Sequence, residues 1–348
     1  MPTLFDPVTL GDIDCANRII MAPMTRSRAG EDDIPTEMNA LYYGQRASAG
    51  LIITEGVYPS FNGKGYVRTP GIVNDAQEAG WRKVADAVHQ AGGKIVMQLM
   101  HCGRIAAHHN KPENSRTIAP SAIQAKGEIY TDAAGMQPFD VPEEMTLTDI
   151  QSAIDGYGQA TARAIAAGCD GVEIHCTSGY LPAQFLSTGT NKRTDSYGGN
   201  LGNRLRFVLE VLDRMIAVAG AGRTAIRICP GNPFNDLFDE NPEETFAALL
   251  GAINPKGLAY LHVIRMEAGV DNIALANRHF DGPIILNESY GFKDGQKALA
   301  NGDGDAVSYG RPFISNPDLI EKFRTGQDLV KPNYKLLYTS GPEGYVDY

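Results

Sequence analysis

The stretch GVEIHCTSGY, residues 171–180, ends an apolar run with a histidine, a serine and a tyrosine in close succession: His175, Ser178 and Tyr180. A buried strand end needs no such burst of hydrogen-bonding groups. An imidazole can hold a polarised oxygen, and a phenol can deliver a proton as a general acid. Comparable polar groups close other apolar runs. Gln98 and His101 stand in KIVMQLMH, Arg227 in TAIRIC, Asn287, Glu288 and Ser289 in PIILNES, and Gly310-Arg311 in AVSYGR. Ser289 and Gly310-Arg311 supply a hydroxyl, backbone N–H groups and a guanidinium fork, which suit a phosphate. The other reading of Arg311 is a salt bridge at a helix start.

These groups need elements that bring them to one place. The apolar runs are IIMAPM (19–24), LIITEGV (51–57), KIVMQLM (94–100), GVEIHC (171–176), TAIRIC (224–229), LAYLHVI (258–264), PIILNES (283–289) and AVSYG (306–310). Runs this short, bounded by Gly and Pro, predict strands buried on both faces. Amphipathic stretches at 76–93, 148–168, 201–220 and 242–252 predict helices between them, several closed by glycine. Strand then helix, repeated eight times, is the arithmetic of a (β/α)8 barrel, with catalysis at the strand C-termini. A doubly wound open sheet is the alternative, but no GxGxxG follows the first strand. Residues 1–18 are expected to form a hairpin capping the N-terminal mouth. Segment 102–146 is too long for an ordinary loop and should carry structure of its own, as a possible lid. The whole of 1–348 is expected to be one barrel domain.

Alternation adds a test of the site. Gln98 shares a face with Met100, Glu173 with His175, Arg227 with Cys229, and Asn287 with Ser289. A polar ring at one end of an apolar barrel calls for a polar ligand, because an unsatisfied buried group costs about 1–3 kcal/mol. Gln98 offers a donor beside an acceptor, as an amide-like heterocycle edge requires. Arg227 offers charge to an anion that forms only on reduction. A flavin has both features; a sugar phosphate fits the same residue types.

Composition removes other classes. The formal net charge of −10 argues against a general nucleic-acid or anionic-membrane binder. The cysteines (Cys15, Cys102, Cys169, Cys176, Cys229) form no CxxC pair, which suits a reducing compartment. MPTLFDPVTLGDI lacks the charged start and apolar core of a signal peptide, and no run is long enough to span a bilayer, so a cytoplasmic location is expected. No set of His, Cys or carboxylate residues has metal-ligand spacing, and no GxSxG elbow suggests a serine hydrolase.

Longer motifs are more specific. NRIIMAPMTRSRA (17–29), YYGQRASAGLIITEG (42–56), QLMHCGR (98–104), GVEIHCTSGYLPAQFLSTGTNKRTDSYGGNLGNRLRF (171–207), RICPGNPFND (227–236) and GDGDAVSYGRPFISNPDL (302–319) occur in order. Through them the sequence resembles, over nearly its whole length, the Old Yellow Enzyme family of FMN-dependent ene-reductases. The resemblance implies that Pro23, Met24, Thr25, Gly56 and Gln98 surround the flavin ring. Arg227 would face its N1–O2 locus, and Ser289, Gly310 and Arg311 would hold its phosphate. His175 would lie over the flavin and bind the substrate oxygen, and Tyr180 would donate the proton. Thr25, Met100, Ser178 and Tyr338 would line the substrate site. NADPH or NADH would be the reductant and small activated alkenes the substrates, in a monomer or homodimer.

Four positions depart from the family pattern, one of them Cys176, which replaces a residue that is usually glycine. Ser178 stands where His or Asn usually supplies a second nitrogen donor to the substrate oxygen. Met100 stands where many relatives carry tryptophan, so the pocket wall is expected to be looser. Glu288 stands where glycine is frequent, although a backbone donor there is expected to need no particular side chain. Because of Ser178, a second reading is a flavin reductase preferring quinones, nitro compounds or nitrate esters. A third is a non-redox lyase or isomerase acting on a sugar phosphate. His101 and His262 are expected to be structural, Cys176 a small buried hydrophobe, and His108-His109 solvent-facing.

Overall fold

Runs dense in Ile, Val and Leu pair as short parallel strands because burial on both faces favours branched side chains. The computed structural model describes residues 1–266 and 269–348. A hairpin, β1 (Val8–Leu10) and β2 (Ile13–Cys15), comes first. Then follow β3 (Ile19–Met21), α1 (Glu37–Gly44), β4 (Leu51–Ile53), α2 (Asp75–Gln90) and β5 (Ile95–Leu99). The long segment after β5 carries β6 (Ile118–Ala119), β7 (Glu128–Thr131), β8 (Gly135–Pro138) and β9 (Glu143–Glu144), and leads to α3 (Leu147–Ala166). The second half runs β10 (Gly171–Cys176), α4 (Leu181–Leu186), α5 (Leu201–Ala219), β11 (Thr224–Ile228), α6 (Pro242–Ile253), β12 (Leu261–Ile264) and α7 (Asn272–His279). It ends with β13 (Ile284–Asn287), α8 (Phe292–Asn301), β14 (Ala306–Tyr309), α9 (Arg311–Ser315) and α10 (Leu319–Thr325).

Strands β3, β4, β5, β10, β11, β12, β13 and β14 close into a parallel barrel, with β14 paired back to β3. The predicted (β/α)8 architecture is therefore the observed one. Side-chain parity divides it into two apolar layers. Ile52, Met97, Ile174, Ile226, Val263, Leu286 and Val307 point outward into the core shared with the helices. Ile20, Leu51, Ile53, Val96, Ala225, Ile285 and Ala306 point inward and meet Leu10, Ile13 and Cys15 of the hairpin. The expected hairpin cap thus plugs the N-terminal mouth. Helix starts follow capping chemistry: Asn74, Thr146, Asn200 and Asp271 each accept a backbone N–H from the first turn of α2, α3, α5 and α7.

Several strands are shorter than their apolar runs. β12 begins at Leu261 rather than 258, and β13 ends at Asn287 rather than 289. The second difference has a local cause, because Glu288 and Ser289 take left-handed φ of 79° and 57°, which no strand accommodates. Segment 102–146 has the predicted internal structure: β6 pairs with β9, and β7 with β8 as an antiparallel hairpin. Arg193 of the NKRTDSYGG motif braces it, donating to the carbonyls of Pro120 at 3.0 Å and Met145 at 2.6 Å.

Candidate active site

The inward parity that buries Val96, Ala225 and Ile285 places the next inward residues one step nearer the C-terminal mouth, and there the residues are polar. In register, Gln98 lies beside Glu173, His175 beside Arg227, and Arg227 beside His262. All but His175 belong to one continuous buried chain of hydrogen bonds, which Ser308 and Asn287 complete. Gln98 Nε2 donates to Glu173 Oε1 at 2.7 Å, and Glu173 Oε2 meets His262 Nδ1 at 2.9 Å. His262 Nε2 meets Ser308 Oγ at 2.8 Å, to which Asn287 Nδ2 donates at 2.7 Å. Arg227 donates to Asn287 Oδ1 at 2.6 Å. The chain crosses β5, β10, β12, β14, β13 and β11. It fixes the Gln98 amide with Nε2 toward the carboxylate. It also makes His262 the satisfied barrel histidine that its strand position suggests.

Above this layer is a cavity of about 1760 Å³ lined by every candidate residue: Pro23, Met24, Thr25, Gly56, Gln98, Met100, His175, Ser178, Tyr180, Arg227, Ser289, Gly310, Arg311 and Tyr338. That volume exceeds what one small molecule fills, so a cofactor and a second ligand can share it. Buried atoms with no partner among the described residues occur at this layer, including His175 Nδ1, Arg227 Nε and the Tyr260 hydroxyl. With Gln98, His175 and Arg227 among its lining residues, the cavity offers polar groups to a polar ring system set against them. Gly56 adds shape, since a Cβ there would come within 2.5 Å of Met100 Sδ. The donor set therefore fits FMN: an amide edge at Gln98, a guanidinium at Arg227, and hydroxyl and guanidinium groups at Ser289 and Arg311.

At the other wall, His175 and Tyr180 lie with ring centroids 5.0 Å apart. Burial drives the His175 imidazole well below its usual range, and the Arg227 charge adds to this, so the ring is neutral. Burial pushes the Tyr180 phenol well above its usual range, with Tyr66 adding to the shift. Tyr180 therefore keeps its proton throughout the neutral range. Its hydroxyl is 3.0 Å from that of Tyr66. Tyr66 was not singled out by sequence; it lies in the loop NGKGYVRTP, which has no strand or helix period to place it.

The departures now have structural settings. Ser178 has φ 58° and its carbonyl accepts from Asn235 Nδ2 at 2.8 Å. Asn and His, which the resemblance leads one to expect there, are among the residues enriched in that left-handed region and would suit the backbone. Met100 is buried against Tyr180, Cys102 and Ile105. The expectation that position 288 needs no particular side chain is corrected, because φ of 79° favours glycine there. Arg311 lines the cavity, and its guanidinium is bonded to Glu288. Cys176 points into the outer core, and His101 accepts from Gly103 N at 3.1 Å. His108 is exposed and paired with Asp140.

Two further walls close the mouth. The β7–β8 hairpin contributes Ile129, Tyr130 and Met136. Segment 336–345 is held by buried arginines. Arg26 donates to the carbonyls of Leu337 and Gly344, Arg28 to those of Leu336, Gly341 and Glu343, and Arg46 to that of Tyr345. Tyr338 is thereby set at the rim, exposed. Arg68 joins the two walls, pairing with Asp132 of the hairpin and donating to the Tyr338 carbonyl at 2.9 Å.

Among the described residues no cluster of His, Cys, Asp or Glu could hold a metal ion, and no helix is long and apolar enough to cross a membrane. Comparison with known proteins points the same way as the cavity. The profile of the NADH:flavin oxidoreductase / NADH oxidase family matches residues 3–329. The chain is 38% identical to the "Probable flavin mononucleotide-dependent alkene reductase" of Leishmania infantum, over 99% of this chain and 96% of that protein. It is 36% identical to 12-oxophytodienoate reductase 7 of Oryza sativa subsp. japonica, over 99% of this chain and 94% of that protein. A structure of morphinone reductase in complex with tetrahydroNAD is 42% identical, with a TM-score of 0.96 over 100% of this chain and 97% of that one. An old yellow enzyme homologue from Zymomonas mobilis is 40% identical, also with a TM-score of 0.96, over 100% and 99%.

Proposed function

Because the chain belongs to the NADH:flavin oxidoreductase / NADH oxidase family, and is an NAD(P)H-dependent FMN oxidoreductase, we propose that it reduces activated alkenes, with Tyr180 as proton donor and His175 as the oxygen-binding group. FMN, when bound, supplies hydride exchange between NAD(P)H and the β-carbon of an α,β-unsaturated carbonyl or nitro compound. Pro23, Met24, Thr25, Gly56 and Gln98 would hold its ring system, Arg227 its anionic edge, and Ser289, Gly310 and Arg311 its phosphate. His175 presents a neutral imidazole, which donates a hydrogen bond to the substrate oxygen and stabilises charge that grows there. Tyr180 holds a proton at its hydroxyl and delivers it to the α-carbon, while Tyr66 fixes the direction of that hydroxyl. The β7–β8 hairpin and segment 336–345 exclude water from the rim.

The observation that carries this reading is the meeting of His175 and Tyr180 in one cavity with Gln98, Arg227 and Arg311. Purified protein should carry or take up FMN stoichiometrically and oxidise NAD(P)H anaerobically with cyclohexenone or a maleimide. A colourless protein that cannot take up FMN would falsify the proposal. The left-handed Ser178, which offers no second nitrogen, favours one further reading. Quinones, nitro compounds or nitrate esters, which need less carbonyl polarisation, would then be the better substrates. Turnover of cyclohexenone against a quinone separates the two. The family match leaves the sugar-phosphate lyase or isomerase without support.

A further inference from the structure

The loop after β13 carries a carboxylate into the place where an anion is expected. Arg265 fixes its left-handed bend, donating to the Glu288 carbonyl at 3.0 Å and to the Ser289 carbonyl at 2.8 Å. Side chains at such a φ are disfavoured relative to glycine, yet this chain places glutamate there. The Glu288 carboxylate accepts from the Arg311 guanidinium and from the Ser289 hydroxyl, the latter at 3.0 Å. Both side-chain donors offered to a phosphate are thus engaged by one carboxylate of the same chain, and all three residues line the cavity.

We propose that Glu288 is a built-in competitor for the cofactor's phosphate, whose binding must displace its carboxylate from Arg311 and Ser289. The proposal rests on the FMN reading above. A phosphate beside an undisplaced carboxylate is repelled, and like charges share a site poorly. Displacement is open to the side chain because Glu288 is 45% exposed and can swing into solvent. The consequence is a cofactor site that discriminates weakly between FMN and riboflavin, and whose loading depends on FMN supply and on salt.

The test titrates the full chain, stripped of flavin, with FMN and with riboflavin, following flavin fluorescence. Glu288→Gln removes the charge at nearly constant size, and Glu288→Gly also relieves the backbone. Both variants should bind FMN more tightly, by about tenfold or more at low salt, with riboflavin affinity unchanged. The gain should shrink as salt rises. An unchanged or weaker FMN affinity in Glu288→Gln overturns the proposal, because the carboxylate would then be orienting Arg311 rather than competing for it. An equal gain for riboflavin overturns it too, since the effect would not lie at the phosphate. If neither flavin binds the native chain or the variants, the FMN reading itself fails. If both bind without discrimination by charge, only the role of Glu288 fails.

Discussion

On the proposed role of His175, Ser178→Asn would give the substrate oxygen a second nitrogen donor beside it. The backbone accepts the change without strain, since φ at 178 is 58° and asparagine enters that region readily. A single donor aimed at developing charge in a closed site contributes about 3–4 kcal/mol. Two features reduce that figure here. The cavity is large enough for water, and a water on the serine hydroxyl would recover part of the interaction. A gain of about 1.5–2.5 kcal/mol remains, or about 10- to 100-fold in kcat/KM for cyclohexenone. The assay mixes the anaerobically reduced enzyme with cyclohexenone and follows flavin reoxidation by stopped flow. Reduction by NAD(P)H, measured separately, tells whether the change is confined to the alkene step. Ser178→Ala is the companion variant and should lose only what the serine-held water recovers, about tenfold. A change below about threefold in the asparagine variant would refute the reasoning. So would a large loss in Ser178→Ala, because the hydroxyl would then already be acting as the second donor.

Other residues give separate tests. Tyr180→Phe should slow alkene turnover by about 10²- to 10⁴-fold while leaving flavin reduction near its native rate; equal losses in both half-reactions would deny it the proton. Glu173→Gln leaves one of its two buried partners, Gln98 or His262, facing an N–H instead of an acceptor. Denaturant midpoints should report a loss of about 1–3 kcal/mol, with FMN affinity weakened alongside. Burial raises the Glu55 carboxyl to about 7. Its folded value lies above the unfolded one, so it binds a proton preferentially in the folded state, and stability should fall as pH rises from about 4.5 to about 7. Unfolding at pH 5 and pH 8 should show that fall in the native chain and much less of it in Glu55→Gln; an identical slope in both would remove Glu55 from the account.

The barrel was legible because its signal is repeated: eight apolar runs at β/α spacing point to one closed sheet, and parity then predicts which residues face inward. His175, Gln98 and Arg227 could be placed on strand positions alone. The rim was harder. Tyr66, Arg68 and the β7–β8 hairpin lie in irregular segments where no period ties sequence to direction, and their roles come from contacts with residues far along the chain. Glu288 shows another limit. Its residue type was visible, but its left-handed backbone and its hold on Arg311 depend on Arg265, which no local pattern links to it.

The clasp of Arg26, Arg28 and Arg46 on segment 336–345, together with the pairing of β3 to β14, imposes an order in time. At roughly 5–20 residues per second, ribosomal synthesis separates β3 from β14 by about 15–60 s. Throughout that wait the Ile19–Met21 edge lacks the neighbour that covers it, and the three guanidinium groups lack their acceptors in segment 336–345. The cavity is therefore a property of the nearly finished chain. No nascent fragment ending before residue 311 can present both Arg311 and Gln98, so a ligand that needs both meets only the nearly finished chain.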